Sequence, residues 1–511
     1  MKNRIFILIL IFVAIISQNQ SALAQDTLRR RFDIGKLDSL NSRILKQKRL
    51  IEIFVPEGFT PGSTDKYDVL YVLDGGNWNT GLINTINGYL QAEHYMPSTI
   101  VVSIMGIDRN KDLTPTHVEN LKTSGGAANF LAFIKEELIP YINQKYPSNG
   151  DNTLWGHSFG GLFVINALLN EPNSFKSYIA VDPSLWWDNG YIQRISADKL
   201  PALKDSNVTL FMSGREGKDG EGMKIDTMDL ILKKLAPEGL TWKSIRYPNE
   251  THSSVRLKSI HDGLKFSYGW QSSGVEFHPM NGMVLKDKPV PVWYFADTTN
   301  VRYTTDGTIP TFKSAKIKPE LYLTGGTTLN VKQFTNRSRY DKLVTGSFVR
   351  GKTLIPVSRK SDWQSGGFHY DYYEGEFNEN DDFKNRQPKQ SGTTNADFGI
   401  DKLPAKNNFA VVIKGFLESR EEGYYAFVLN ANKDSKLYLN DQLLIHCEDS
   451  NTNKESPYTY VLPLIKGFYN FRLEYIQKNE GNKLKLQYLS PNSFASKQPV
   501  PIPLMLQYRK P

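Results

Sequence analysis

The chain has 511 residues, a formal net charge of +9 at pH 7 and a single cysteine. This length allows two to four domains with sizeable cores. The basic charge is spread along the chain without runs of lysine or arginine interleaved with aromatic residues, so we expect no nucleic-acid partner. The one cysteine, Cys447, excludes an internal disulfide and fits a bacterial periplasm or surface better than a disulfide-rich eukaryotic exterior.

The first residues have the pattern of a secretory signal. Lys2 and Arg4 precede an apolar stretch at 5–16, and Ala22-Leu23-Ala24 forms a small-x-small cleavage site. The apolar stretch is short for a membrane span, although an uncleaved anchor is the alternative. We predict a signal peptide over residues 1–24, a secreted or periplasmic mature chain, and no stable membrane insertion after cleavage.

Residues 25–272 alternate strand-like and helix-like segments. Strand patterns occur at 49–55, 68–73, 98–104, 177–181, 207–212 and 242–247, and helical patterns at 127–146 and 223–235. Such alternation predicts a mostly parallel sheet with helices on both faces. Ligands in these sheets bind beyond the carboxyl ends of the strands, so functional residues are expected directly after strands.

The helical pattern stops after Trp270. Short alternating segments follow, separated by turns such as Thr305-Asp306-Gly307 and Asn440-Asp441, and this arrangement is typical of β-sandwiches. We therefore predict an α/β domain over residues 25–272, a small sandwich over 273–358 and a larger one over 359–511.

A G-x-S-x-G pentad, Gly156-His157-Ser158-Phe159-Gly160, lies between a short apolar segment at 153–155 and an apolar helical pattern at 162–169. This is the strand–turn–helix context of the nucleophile elbow in the α/β-hydrolase fold. Ser158 is the candidate nucleophile, and the backbone N–H of Phe159 is a candidate oxyanion donor. An ordinary glycine-rich turn is the alternative interpretation of the pentad alone.

A serine nucleophile needs a base, and the base needs an orienting acid. Chain order in α/β-hydrolases is serine, acid, histidine. His252 follows the strand pattern at 242–247, which makes it the preferred base over His261, whose surroundings are helical. The acid is expected in the loop after 207–212, where Glu216 lies nearest the strand. The alternatives for the acid are Asp219, Glu221 and, on the following helix, Asp226.

The loop after the strand at 68–73 reads Asp74-Gly75-Gly76-Asn77-Trp78. Glycines would let this backbone approach a reacting carbonyl, so Gly76 or Asn77 is the candidate second oxyanion donor; a plain glycine turn is the alternative. Histidines are scattered without H-x-H or H-E-x-x-H spacing, and phosphate-loop and dinucleotide motifs are missing from the sequence. We therefore expect neither a metal nor a cofactor.

Separated blocks between residues 40 and 270 resemble one family, the secreted "putative esterase" branch of the α/β-hydrolases, which is related to siderophore esterases, S-formylglutathione hydrolases and feruloyl or acetyl-xylan esterases. The blocks fall in family order: Tyr71-Val72-Leu73-Asp74-Gly75-Gly76, Arg109 with Asp112-Leu113-Thr114-Pro115, Ser124-Gly125-Gly126, Glu137-Leu138-Ile139-Pro140-Tyr141-Ile142, the pentad, Asp182-Pro183-Ser184-Leu185-Trp186-Trp187, and Glu250-Thr251-His252.

The resemblance implies Ser158 as nucleophile and His252 as base. It also implies a substrate pocket shaped by Arg109, Trp186 and Trp187, although a packing role for the tryptophans is equally open; we add His157 to this pocket. The acid varies within the family, so Glu216 stays a prediction. Asp182 stands where many members carry serine, and we expect this departure to leave the triad unchanged.

Two resemblances cover the remaining chain. The segment around Tyr303-Thr304-Thr305-Asp306-Gly307 resembles the small C-terminal sandwich of chitobiases and hexosaminidases. The segments Gly367-Phe368-His369-Tyr370, Gly423-Tyr424-Tyr425 and Gly467-Phe468-Tyr469 resemble the protective-antigen-type sandwich. Some members of that family bind sugar through calcium held by adjacent aspartates, for which Asp381-Asp382 is the candidate pair.

Together these features predict a serine carboxylic ester hydrolase that works through an acyl-enzyme. Because the accessory sandwiches accompany glycan-active enzymes, the expected substrate is an acetyl or feruloyl ester of a polysaccharide. A periplasmic siderophore esterase is the alternative within the same class. A glycan-binding or adhesive protein with an inactive hydrolase domain is the alternative from another class.

Overall fold

A computed structural model provides the structure of the chain. It describes residues 35–509 except 63, 270–274, 296–298, 319, 362, 366, 379–380, 382, 384, 395–397, 399–402, 405–406, 433, 448–457, 479–483, 495–499 and 502–506. The predicted signal peptide therefore lies outside the described residues. The chain divides into two compact units: the first ends at Ser272 and also takes in Thr335–Tyr340, and the second comprises Ser273–Phe334 and the chain from Asp341 onward.

The first unit is built on one twisted sheet. Its strands are β1 Lys36–Ser42, β2 Gln47–Phe54, β3 Tyr67–Val72, β4 Thr99–Ile104, β5 Ser148–His157, β6 Ser177–Val181, β7 Val208–Arg215 and β8 Leu240–Tyr247. They lie in the order β1-β2-β4-β3-β5-β6-β7-β8. Strands from β4 to β8 along this order run parallel, whereas β1 and β2 pair antiparallel at one edge.

Helices connect these strands. They are α1 Asn77–Ala92, α2 Arg109–Leu113, α3 Ala127–Phe133, α4 Ile139–Lys145, α5 Phe159–Asn170, α6 Trp187–Lys199, α7 Lys218–Glu221, α8 Ile225–Leu235 and α9 Val255–Tyr268. A π-helical turn, Ile134–Leu138, joins α3 to α4, so the single helix predicted at 127–146 is one continuous run with a changed hydrogen-bond pattern. Short 3₁₀ turns occur at Leu200–Leu203 and Ser338–Tyr340.

Both faces of the central strands are covered, which explains their uninterrupted apolar sequences. In β3, Val69 and Tyr71 pack into the core under α3 and α5, while Leu70 and Val72 pack into the core under α1 and α9. The predicted α/β-hydrolase architecture of this region is confirmed. Within the described residues, no helix has the length and apolar character to cross a bilayer.

The amino end of this sheet is closed by the segment Thr335–Tyr340. Arg337 contacts the carboxylate of Asp68, near the start of β3, and the hydroxyl of Thr153 in β5, and donates its Nε–H to the carbonyl of Ser267 at 3.3 Å. Asp68 and the side chain of Arg337 are buried, at 0 % and 3 % exposure. A segment distant in sequence thus completes the hydrolase unit.

The second unit consists of strands. They are β9 Glu276–His278, β10 Asn281–Val284, β11 Val290–Phe295, β12 Val301–Thr304, β13 Ala315–Lys316, β14 Leu321–Leu323, β15 Thr327–Gln333, β16 Lys342–Arg350, β17 Trp363–Ser365, β18 Phe368–Glu374, β19 Gln390–Thr394, β20 Phe409–Ser419, β21 Gly423–Ala431, β22 Lys436–Leu439, β23 Gln442–His446, β24 Tyr458–Leu464, β25 Gly467–Gln477, β26 Leu484–Leu489, β27 Val500–Pro501 and β28 Gln507–Arg509.

These strands form sheets that face one another across aromatic and aliphatic cores, as predicted for β-sandwiches. The proposed boundary at 358 does not separate two compact units. Strand β10 pairs in parallel with β16 on one side and with β24 on the other, so one sheet runs from the predicted small sandwich into the larger one. Cys447 is buried in this unit, and burial raises its pKa to about 12, in keeping with a structural thiol.

Candidate active site

The pentad forms a sharp turn from β5 into α5. Ser158 adopts φ 63° and ψ −115°, a strained conformation for a residue with a side chain. A Cβ atom on Gly156 would lie 2.4 Å from the carbonyl carbon and oxygen of Gly160, so a residue with a side chain does not fit in this turn. This is the geometry of a nucleophile elbow, with Ser158 at the carboxyl end of the sheet.

Strand register brings three chain segments together at this edge. His157 pairs with Val181, and Val181 pairs with Ser213, so Ser158 and Asp182 each stand one residue beyond the same row. The N–H of Ser158 donates to the Val181 carbonyl at 2.9 Å, and the N–H of Asp182 donates to the Ser213 carbonyl at 2.8 Å. The end of β6 therefore lies directly beside the elbow.

His252 lies in the loop between β8 and α9 and reaches this edge. Its Nδ1 is 2.6 Å from Oδ2 of Asp182, a fully buried carboxylate, while the imidazole itself is 38 % exposed. Because a carboxylate only accepts, Nδ1 carries the proton and Nε2 is left as the basic nitrogen of the neutral ring. This is the tautomer that can take a proton from a serine hydroxyl.

The prediction that Glu216 orients this ring is wrong in the structure, which places Asp182 there. Glu216 is exposed, and its backbone N–H donates to the carbonyl of Tyr247 at 3.1 Å. The alternative acids Asp219 and Asp226 do not take this position either. Asp219 is 93 % exposed, and Asp226 pairs with Arg246 at 2.9 Å. The carboxylate bonded to His252 therefore follows β6 rather than β7, the strand after which it was predicted.

The hydroxyl of Ser158 is held close to the same turn. Its Oγ lies 3.3 Å from Oγ of Ser184, and the N–H of Ser184 donates to the Ser158 carbonyl at 3.1 Å. The ring of the preceding residue, His157, lies 4.4 Å from the ring of His252 between centroids. Ser158, His252 and Asp182 are thus brought to one place by adjoining backbone segments.

His157, assigned above to the substrate pocket, instead supports the base. Its Nε2–H donates to the backbone carbonyl of His252 at 2.7 Å, and the side chain is buried. Burial lowers the pKa of His157 to about 3, and the neighbouring His252 contributes in the same direction. A neutral His157 therefore anchors the loop that carries His252.

Arg215, the last residue of β7, contacts the acid. Its Nε–H donates to Oδ2 of Asp182 at 2.8 Å, the same oxygen that His252 uses. Burial favours a higher pKa for Asp182, yet the hydrogen bonds from His252 and Arg215 outweigh it and hold the pKa below its usual value. Asp182 is therefore ionised wherever the protein is folded near neutral pH.

One predicted oxyanion donor is available and another is not. Phe159 is the first residue of α5, so its N–H has no carbonyl in a preceding turn and can face a ligand beside Ser158. The N–H of Gly76 donates to Oγ1 of Thr80 at 2.8 Å and is used to begin α1. Asn77 is the first residue of that helix, and its side chain lies outside the described residues.

Aromatic and cationic side chains lie beside the nucleophile elbow. Arg109 pairs with Asp74, donates to the His157 carbonyl at 3.4 Å and lies over the ring of Phe159 at 5.9 Å. Trp186 is 46 % exposed with its ring 6.0 Å from that of Phe159, whereas Trp187 is buried and donates its indole N–H to Thr116 at 3.0 Å. Trp187 therefore packs, and Trp186 with Arg109 faces solvent near Ser158.

Comparison with known proteins places this geometry in context. Residues 42–237 match the family described as "Putative esterase", and residues 364–499 match the PA14 domain. The ferri-bacillibactin esterase BesA of Bacillus subtilis is 27% identical over 251 residues, which cover 43% of this chain and 86% of BesA. A siderophore enterobactin esterase of Emericella nidulans is 33% identical over 147 residues, covering 24% of this chain and 48% of that protein.

Among solved structures, an IroE-like serine hydrolase from Shewanella oneidensis is 32% identical, with a TM-score of 0.42 and coverage of 45% of this chain and 79% of that one. Family match and fold together define the class: the first unit is a serine esterase of the α/β-hydrolase fold. The match to the family described as "Putative esterase" covers residues 42–237 of this unit, and the PA14 match, which fits a β-sandwich, lies in the second unit.

Proposed function

We propose that this protein hydrolyses an ester bond of a siderophore, with Ser158 as nucleophile, His252 as base and Asp182 as the orienting acid. The observation that carries the catalytic assignment is the convergence of the strained Ser158 with the buried Asp182–His252 hydrogen bond at 2.6 Å. The substrate class rests on proteins of similar sequence that are named a ferri-bacillibactin esterase and a siderophore enterobactin esterase.

In the proposed reaction the Ser158 hydroxyl turns from Ser184 towards Nε2 of His252. As Oγ attacks the ester carbonyl, its proton passes to Nε2, and the negative charge of Asp182 stabilises the imidazolium that forms. The N–H of Phe159 donates to the developing oxyanion. The imidazolium then protonates the leaving alkoxide, and a water molecule, deprotonated by His252, releases the acid from Ser158.

The half-exposed Arg109 and Trp186 support a substrate that carries planar and anionic groups. A guanidinium attracts carboxylates, phenolates and chelated anions, and an exposed indole offers a flat apolar face. A catechol-type trilactone combines such rings with ester bonds. The expected acetyl or feruloyl ester of a polysaccharide has no counterpart among these named relatives, and it enters the test as the competing substrate.

The test is a comparison of kcat/KM for an iron-free and a ferric catechol trilactone, acetylated xylan, a feruloylated glycan and p-nitrophenyl acetate. We expect the trilactone to be the best natural substrate, and Ser158→Ala to reduce every hydrolysis by orders of magnitude while the far-UV spectrum is unchanged. Turnover of glycan esters without turnover of trilactone would overturn the substrate class. Undiminished hydrolysis by Ser158→Ala would instead overturn the nucleophile.

A further inference from the structure

The guanidinium of Arg215 occupies an unusual place, because it shares one carboxylate oxygen with the base. Nδ1 of His252 and Nε of Arg215 lie 2.6 Å and 2.8 Å from Oδ2 of Asp182. Oδ1 is buried and has no hydrogen-bond partner among the described residues. All the hydrogen bonding that this buried carboxylate receives is thus concentrated on the oxygen that faces the imidazole.

Position on the sheet explains how Arg215 reaches the acid. It ends β7, next to β6 and one strand from the loop that carries His252, and its side chain is 13 % exposed. The backbone before Arg215 is also constrained by close packing. A Cβ on Gly214 would lie 2.4 Å from Cδ1 of Ile225 and 3.2 Å from Oδ1 of Asp182. A cation is therefore built into the site behind the acid.

We infer that Arg215 is a positioning residue that fixes Asp182 against His252 and, through its charge, keeps the base unprotonated at lower pH than Asp182 alone would allow. This inference rests on the proposed function. Two consequences follow from one contact. A bond to Oδ2 restrains the carboxylate that orients the ring, and a nearby positive charge opposes formation of imidazolium before substrate binds.

The other charged or titratable side chains around His252 do not act on it through a bond to Asp182. His157 contacts the His252 loop but is neutral, and Arg256 donates to Oδ1 of Asn79 rather than to the acid. Asp219 lies 3.9 Å from the outer nitrogen of Arg215 and is exposed, so solvent screens it. Of the cationic side chains among the described residues around His252, Arg215 is the one bonded to its carboxylate.

The test compares Arg215→Met, Arg215→Gln and Arg215→Lys with wild type in the full chain, using p-nitrophenyl acetate. We expect Met and Gln to lower kcat about tenfold or more, and to move the midpoint of the acidic limb of kcat/KM to higher pH by about one unit. Gln keeps a donor without a charge, so it serves where Met fails to fold. Arg215→Lys keeps the positive charge, so the acidic limb of kcat/KM should stay near its wild-type position.

Arg246→Met is the matched control, because Arg246 lies on the adjacent strand and pairs with Asp226 at 2.9 Å. It should leave both kcat and the acidic limb unchanged. An acidic limb that stays in place in Arg215→Met and Arg215→Gln would overturn the inference, even with lower stability. Loss of the proposed function shows differently, as a wild-type rate that Ser158→Ala does not reduce.

Discussion

Two buried aspartates lie at opposite ends of the same sheet, and each accepts from an arginine. At the amino end, both oxygens of Asp68 are satisfied: Oδ2 by Arg337, and Oδ1 by Tyr340 and by Asn149, the latter at 2.6 Å. At the carboxyl end, Asp182 has φ 40°, one oxygen without a hydrogen-bond partner in the described part of the chain, and a histidine partner that is partly exposed. Both carboxylates are 0 % exposed.

The difference separates an ion pair that only stabilises the fold from the one that lies in the proposed catalytic site. Both oxygens of Asp68 already have hydrogen-bond donors, from an arginine, a tyrosine and an asparagine, and none of these side chains changes its protonation state near neutral pH. Strain, an unpaired oxygen and a titratable partner are costs that a fold retains where chemistry requires them. Mutation of each aspartate cluster should therefore change a different measured quantity.

The largest effect is expected at the carboxyl end. Asp182→Asn should reduce kcat by about 10⁴-fold, because the amide cannot hold His252 in the tautomer that leaves Nε2 basic. The measurement is steady-state hydrolysis of p-nitrophenyl acetate, with thermal unfolding as the check on folding. A loss below about tenfold would mean that His252 acts without this acid.

The next effect is expected at the amino end. Arg337→Met should lower the free energy of unfolding by about 3–5 kcal/mol, because it leaves Asp68 buried and uncompensated. Denaturant unfolding of the hydrolase unit measures this, and kcat of the folded fraction should equal that of wild type. Arg339→Met is the control, since Arg339 pairs with Asp151 at 3.1 Å while its side chain is 49 % exposed. Equal destabilisation by both variants would contradict the comparison.

A third effect depends on pH. The pKa of His157 is lowered to about 3 in the folded chain, so below about 6.5 the unfolded chain binds a proton that the folded chain does not. Stability is therefore complete above that pH and falls by about 1.4 kcal/mol per pH unit as the pH drops from 6.5 towards 3. His157→Asn should flatten this slope in unfolding measured between pH 4 and 7. An unchanged slope would assign the acid sensitivity to other groups.

The smallest effect concerns the residue that the sequence favoured as acid. Glu216→Gln should leave kcat/KM within about twofold of wild type, because an exposed loop carboxylate outside the His252 hydrogen bond contributes little. Side-by-side kinetics with Asp182→Asn make the contrast direct. A deep loss in Glu216→Gln would restore the loop after β7 as the source of the acid.

Much of this architecture could be predicted because its causes are local. The pentad requires small residues around Ser158, and the chain order of α/β-hydrolases leads to His252. Asp182 was not predicted as the acid, although it directly follows a buried apolar strand and fits the order serine, acid, histidine, because the acid was expected after the next strand, at 207–212. Gly76 was misassigned since the hydroxyl that takes its N–H, that of Thr80, belongs to the following helix.

Contacts between distant parts of the chain could not be predicted from pattern. Arg337 and Asp68 are separated by 269 positions, and an arginine between two strand-like segments carries no signal of its partner. The sheet that extends across the boundary predicted at 358 could not be foreseen for a related reason. Pairing of β10 with both β16 and β24 depends on a shared sheet that alternation of apolar residues does not reveal.

The discontinuous hydrolase unit has a consequence for the inheritance of this gene. A single crossover after α9 would deliver a hydrolase without Thr335–Tyr340, leaving Asp68 with an unneutralised charge in its interior. Recombination at that position would therefore yield hydrolase units that fold poorly. The two units should be transmitted together, and descendants that lose the strands should also show replacement of Asp68 by an uncharged residue.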